Sequence, residues 1–230
     1  ISQTLQESGV FMGAPLNESG DLVPPECMYK ACRIIGKYVK YLGDYKWDFT
    51  KLHTMPIPQE FVELVEAYLA SVLHCKKERY GWKLPETTLV FPWIVRLFPD
   101  AHYIYWVRDP RDSILRGHLT DNLSRFNAPW TRPETVQGAR AVSWKYQAEI
   151  VRQTPKPENW IEIRLEDFVL NQGETLKWLE AYLGIPVAKI RVRQQVVGRW
   201  KKSSELQQFD FLNEDLERFG YEPQYHREVL

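Results

Sequence analysis

Arg108 follows an unbroken run of aromatic and aliphatic residues and precedes Asp-Pro-Arg-Asp, in a segment from Tyr103 to Arg116 that reads YIYWVRDPRDSILR. Asp109 is a residue type that caps helices by accepting a backbone N–H, and Pro110 suits the first helical position, where a missing N–H costs nothing. A strand therefore gives way to a helix at Arg108. The free N–H groups and positive dipole end of that helix meet the strand's carboxyl end, and a guanidinium placed there can grip an oxyanion through two parallel hydrogen bonds. The chemistry expected of the segment is anion binding. Ser113 and Arg116 stand three apart on one helix face and can extend the same site. The local pattern fits equally a capped helix in which Arg108 pairs with Asp112 or another carboxylate.

The elements that must position this junction are legible from periodicity. Phe61, Leu64, Val65, Tyr68, Leu69 and Val72 form the apolar stripe of a helix, and Ala139, Val142, Tyr146 and Ile150 form a second. A third helix carries Leu176, Leu179 and Leu183 and stops at Gly184, with Pro186 behind it. Between helices, Gly9 to Met12, Tyr80 to Leu84, Tyr103 to Val107 and Trp160 to Ile163 are too apolar and too rich in β-formers for loops. Strands alternating with helices predict an α/β fold, a parallel sheet flanked by helices on both faces, with ligands bound beyond the carboxyl ends of the strands. Ala14 to Pro25, Gly43 to Pro58 and Ser124 to Pro133 are expected to be surface loops. Phe209 to Phe219 is a candidate last helix ended by Gly220, with an irregular tail beyond.

The 230 residues, 44% hydrophobic and 13% aromatic, suffice for a single packed domain spanning 1–230. Thirty basic and thirty acidic side chains leave no net charge, so bulk electrostatics recruits neither nucleic acid nor an anionic membrane. Cys27, Cys32 and Cys75 form no CxxC pair and leave one over, which points away from a disulfide framework or zinc site and toward a reducing, cytoplasmic setting. The longest apolar stretch, Phe91 to Val107, is interrupted by Arg96, Pro99 and Asp100 and falls short of the roughly 20 residues of a bilayer span. His53, His74, His102, His118 and His226 are scattered without metal-ligand spacing and read as structural, and no metal is expected.

The segment at Arg108 resembles the signature of the sulfotransferases that use 3′-phosphoadenosine 5′-phosphosulfate (PAPS), a P-loop-like α/β superfamily. There an apolar strand leads into R-D-P-R-D or a close variant, with a Ser eight residues after the first Arg. The resemblance implies that Arg108 holds the 3′-phosphate of the donor. Position 116 is Arg where that pattern has Ser, so Arg116 would replace a hydroxyl by a charge, or Ser113 would serve instead. GWKLPE is similar to the K-x-P of the tyrosylprotein and bacterial carbohydrate branches, which implies that Lys83 meets the sulfuryl group or the bridging oxygen. A positioned ammonium suits that place because sulfuryl transfer moves negative charge onto the leaving phosphate. By itself Lys83 also reads as a solvated residue at a strand end.

IEIRLEDFVLNQGETLKWLEAYLGIP resembles the family's strand, Y-E-D, turn and helix ending in LGIP, but its Tyr is Leu165 here, so an adenine contact does not carry over. GRWKK, from Gly198 to Lys202, resembles the G-x-W-K loop that folds over PAPS. Trp200 would then stack on a base and Arg199 or Lys201 meet a phosphate; an aromatic anchoring a surface turn is the alternative. The matches run in family order from Tyr80 to about Tyr221. The family's opening strand and its G-x-x-R-S-G-T-T phosphate loop have no counterpart, and the chain begins ISQTLQESG, without Met, as though inside a helix. The sequence is therefore expected to lack an upstream strand and loop.

The acceptor's proton needs a base. The His of the K-T-H-L-P motif of the cytosolic branch has no counterpart in GWKLPE. In the tyrosylprotein branch a Glu follows the first helix and a short strand, which makes Glu18 of FMGAPLNESGD the nearest candidate, Asp21 the next and Glu86 the third. Each is also the kind of carboxylate found solvated in loops or capping helices. The reading that follows is transfer of a sulfuryl group from PAPS to a hydroxyl or amine of a small molecule, lipid or carbohydrate, with 3′,5′-adenosine bisphosphate (PAP) as product. The alternatives are a P-loop kinase, which needs Mg²⁺ and an acidic strand-end residue for which Asp109 could be mistaken, and a non-catalytic nucleotide-binding or scaffold module.

Overall fold

The computed structural model describes residues 1–204 and 206–223, so His226 and most of the tail expected beyond Gly220 lie outside the described residues. In chain order the elements are α1 (Ser2–Glu7), α2 (Glu26–Gly36), β1 (Lys40–Gly43), β2 (Lys46–Asp48), α3 (Thr50–Thr54), α4 (Gln59–Leu73) and α5 (Phe91–Leu97). They continue with β3 (Tyr103–Val107), α6 (Pro110–Ile114), α7 (Val136–Gln153), β4 (Trp160–Arg164), α8 (Leu165–Leu170), α9 (Gln172–Leu183) and α10 (Asn213–Arg218).

The three helices expected from periodicity are α4, α7 and α9, and each buries the stripe that predicts it: Phe61, Val65 and Leu69 in α4, Val142, Tyr146 and Ile150 in α7, Leu176 and Leu179 in α9. Gly184 ends α9 in the left-handed region at φ 66°, which a residue without a Cβ enters at no steric cost.

β3 and β4 pair in parallel, Tyr103 opposite Trp160 through Val107 opposite Arg164. Side chains alternate across such a ladder. Ile104, Trp106, Ile161 and Ile163 face Phe168 of α8 and Leu176 and Leu179 of α9, whereas Val107 packs against Ala148 of α7. Helices therefore cover both faces of the parallel pair. The largest core cluster joins α2, α4 and α7 to the segment Leu84 to Ile94.

The expected continuous sheet is only partly formed. Gly9 to Met12 and Tyr80 to Leu84 meet in a single parallel bridge between Phe11 and Tyr80. Phe11 N–H donates to Arg79 O at 3.0 Å and Gly81 N–H to Phe11 O at 2.9 Å. Gly9 and Gly13, both at φ 82°, turn the chain on either side of Phe11 and end the pairing there. Among the described residues, parallel pairing beyond one bridge is thus confined to β3 and β4.

The loop expected from Gly43 to Pro58 is also corrected. It holds β2, which closes an antiparallel hairpin with β1, and the short helix α3. Asp44 and Tyr45 take positive φ at the hairpin turn, and Trp47, 1% exposed, sets its ring edge-on to Tyr146 with centroids 5.1 Å apart. No helix among the described residues is long and apolar enough to cross a membrane.

Candidate functional site

The strand-to-helix junction forms as its residue types require. Asp109 accepts the N–H of Arg111 at 2.9 Å and caps α6, with Pro110 at the first helical position. The same carboxylate takes the Arg111 guanidinium in a two-pronged pair, at 2.9 Å from Nε and 2.7 Å from Nη2. Asp109 and Arg111 are both almost fully buried, so the charges are held by each other. Glu166 accepts the backbone N–H of Asp109 at 3.1 Å and the phenol of Tyr221 at 2.7 Å. The indole of Trp144 donates to Arg108 O at 3.2 Å. The backbone at Arg108 is thereby fixed from three elements.

The Arg108 side chain forms no salt bridge with Asp112 or with any other carboxylate among the described residues; its Nη2 donates to Val196 O at 2.9 Å. Its Nε is buried without a partner, and so is the Nε of Arg199. Burial first, and then the like charge of Arg199, lower the Arg108 guanidinium pKa, with Arg116 adding to the repulsion against the opposing pull of Asp112 and Glu166. Each of the two guanidinium groups thus keeps one buried N–H donor without an acceptor.

Asp112 does something the sequence did not assign to it. Fully buried, it accepts the backbone N–H of Gly198 at 2.7 Å and of Trp200 at 2.9 Å, tying the GRWKK turn to α6. Arg199 Nη2 donates to Asp112 O at 3.2 Å. Trp200 lies with its ring centroid 3.9 Å from the Arg111 guanidinium and 5.6 Å from the Lys201 ammonium, so at least one of its faces is occupied by a cation of the protein. Ser113 Oγ donates to Asp109 O at 3.2 Å, and Arg116 is exposed. Of the anion-site candidates, Arg108, Arg199, Trp200 and Lys201 are gathered at one place, Arg116 acts on it as a charge, and Ser113 is turned to its own helix.

Lys83 belongs to a second cluster. It ends the extended segment that bridges Phe11, and its carbonyl accepts the N–H of Leu22 at 3.0 Å. Its ammonium forms an ion pair with Asp21, the two side chains being 32% and 14% exposed. The loop makes this choice of carboxylate locally. Asn17 Oδ1 accepts the backbone N–H groups of Ser19 and Asp21, both at 2.9 Å, and its Nδ2 donates to Asp21 Oδ2 at 3.0 Å, while Gly20 takes φ 72°. That turn brings Asp21 to Lys83 and leaves Glu18 exposed.

Glu86 is 2% exposed, and burial raises its carboxyl above the usual range; its own backbone N–H and His118 oppose this less strongly. His118 lies in the loop after α6, so the segment that carries Arg108 reaches the electrostatic surroundings of Lys83 and Glu86.

A carboxyl whose folded-state pKa is raised binds its proton more tightly in the native state, so its contribution is present at low pH and is lost as pH rises through the folded value. Glu86→Gln is therefore expected to unfold at a higher temperature than the parent at pH 8, with the difference closing toward pH 5; thermal unfolding monitored across that range checks it. A gap that widened as pH fell would mean that the carboxylate is stabilised in place.

Among the described residues no group of three or more His, Cys, Asp and Glu is arranged to hold a metal ion. A protein-family model described as "Sulfotransferase family" matches residues 26–189, more than half of the chain and a span that includes both Lys83 and Arg108. No curated protein and no solved structure matches.

Proposed function

The chain belongs to the sulfotransferase family, and on that footing we propose that it takes the sulfuryl group from PAPS and passes it to a hydroxyl or amine of a small molecule, lipid or carbohydrate. The observation that carries this reading is the pair of buried, unpartnered guanidinium donors, Arg108 Nε and Arg199 Nε, at the carboxyl end of β3. A phosphate of the donor fits that pair, since it would supply the missing acceptors and relieve the repulsion between the two arginines. Arg108 and Arg199 hold the 3′-phosphate in this account, with Arg116 adding field and Trp200 and Lys201 closing the turn over it.

When bound, PAPS supplies an activated sulfuryl group. In this account Lys83 would neutralise the charge left on the bridging oxygen as the S–O bond breaks. Asp21, in contact with Lys83 and partly exposed, is the carboxylate we assign to accept the acceptor's proton as the new bond to sulfur forms. Glu18 lies three residues away on the exposed side of the same loop, and Glu86 is too deeply buried to meet an acceptor. The kinase alternative needs a free acidic group for Mg²⁺, and Asp109 is already engaged by Arg111 on both carboxylate oxygens. The free thiols of Cys27, Cys32 and Cys75 support placing the protein in a reducing, cytoplasmic compartment.

Transfer of labelled sulfuryl from PAPS to a panel of alcohols and amines tests the activity. Asp21→Asn is expected to lower kcat by about 100-fold, with little change in PAP affinity. A variant with the parent's kcat would assign the proton to another group.

A further inference from the structure

Trp178, on α9, is 61% exposed, whereas the other eight tryptophans are buried or half-buried. An indole left in water by a fold that buries its other large aromatics calls for a reason. Trp178 lines a cleft of about 180 Å³ bounded by α9, by β4 and by the end of α10. Ile163, Thr175 and Phe219 supply the rest of its uncharged lining.

Four charged side chains line the same space, two of each sign. Arg164 and Asp167 are engaged with each other, Nε to Oδ2 at 2.7 Å and Nη2 to Oδ1 at 2.8 Å, and Arg164 Nη1 also donates to Phe219 O and Gly220 O. Glu162 and Arg218 are not. Both are exposed, and neither side chain forms a hydrogen bond or an ion pair among the described residues. The Arg218 guanidinium lies 4.9 Å from the ring centroid of Phe219, and Lys156, which feels the charge of both residues, holds its ammonium over Trp160 at 3.7 Å. An unused carboxylate and an unused guanidinium therefore flank an exposed indole, in a lining without net charge.

Charge and shape together select the ligand. A simple anion or cation meets both signs at once, and solvent-exposed ion pairs add little in water. A neutral ring bearing several hydroxyls donates to the carboxylate and accepts from the guanidinium, and its C–H face covers the indole. The volume falls below the ~300 Å³ at which pockets take drug-sized ligands, which suits one ring. We propose that this cleft binds a single uncharged hexose at the end of a glycan, its C–H face on Trp178 and its hydroxyls between Glu162 and Arg218. The rest of the glycan leaves into solvent past the exposed indole. The site shares no side chain with the Arg108 and Arg199 pair or with Lys83 and Asp21, and it does not depend on the transfer reaction.

The test is titration with the methyl β-glycosides of glucose, galactose and N-acetylglucosamine into the millimolar range, followed by NMR at the Trp178 indole N–H, which is assigned by its disappearance in Trp178→Phe. A saturable shift with at least one glycoside is expected, retained in Arg108→Ala and weakened roughly fivefold or more in Glu162→Ala and in Arg218→Ala. In Trp178→Ala the accompanying shift of the Thr175 amide is expected to vanish, with unfolding at the parent's temperature because the indole is largely in solvent. No saturable shift with any of the three, its loss in Arg108→Ala, an unchanged affinity in Glu162→Ala or Arg218→Ala, or tighter binding of zwitterionic leucine than of every glycoside would overturn the proposal. Because Arg108→Ala silences the phosphate site and leaves this cleft intact, failure here is separable from failure of the sulfotransferase reading.

Discussion

Arg108→Ala is expected to weaken binding of 3′,5′-adenosine bisphosphate by roughly 30-fold or more, about 2 kcal/mol, with the larger loss at low salt. The number follows from what the guanidinium does in the free protein. Among the described residues it has one hydrogen bond, to Val196 O, and an Nε that is buried and unused. Its pKa is lowered by burial and by Arg199. A bound phosphate would therefore gain a charge-assisted contact without displacing a competing carboxylate. The fold should tolerate the change, because the junction is held by groups the substitution leaves alone: Asp109 with Arg111, Glu166 with the Asp109 N–H, and Trp144 with the Arg108 carbonyl. Calorimetric titration of parent and variant, with thermal unfolding as the folding control, measures it. Arg199→Ala is expected to act in the same direction.

Lys83→Met is expected to do the reverse of an affinity mutant: PAPS affinity changes by a few-fold at most, while kcat falls by roughly 100- to 1000-fold. Lys83 is in a cluster separate from the arginines, so losing it leaves the proposed 3′-phosphate contacts in place. In the proposed account its value lies in the charge that builds on the bridging oxygen as the S–O bond breaks, which bound PAPS does not yet carry. Methionine keeps the side-chain length and leaves Asp21, which is partly exposed, to be solvated. Loss of affinity with kcat intact would place Lys83 at a binding contact rather than at the reacting bond.

Local rules made part of this molecule legible. The cap at Asp109, the stop at Gly184 and the ladder of β3 with β4 follow from residue types within a few positions of one another. The helix stripes were readable for the same reason, since burial at a 3.6-residue period is a local signal. What stayed hidden depends on partners far away in the chain. Asp112 anchors Gly198 and Trp200 across more than 80 positions, a role that no spacing within R-D-P-R-D reveals. Trp47 and Phe49 sit in a stretch rich in turn formers, and only their packing against Tyr146 turns that stretch into a hairpin and a helix.

Which loop carboxylate meets Lys83 is open in the sequence for a different reason. Family pattern points to a carboxylate in the loop but does not count residues across it. The Asn17 turn does so physically, by bonding both the Ser19 and the Asp21 N–H groups to one side-chain oxygen.

Titration of the protein with 3′,5′-adenosine bisphosphate and, separately, with ATP and Mg²⁺ tests whether the Arg108 and Arg199 pair is a nucleotide 3′-phosphate site. Saturable binding of the bisphosphate, tighter than ATP with Mg²⁺ and lost in Arg108→Ala, is the predicted result; tighter binding of ATP with Mg²⁺, or no binding of the bisphosphate, would contradict it.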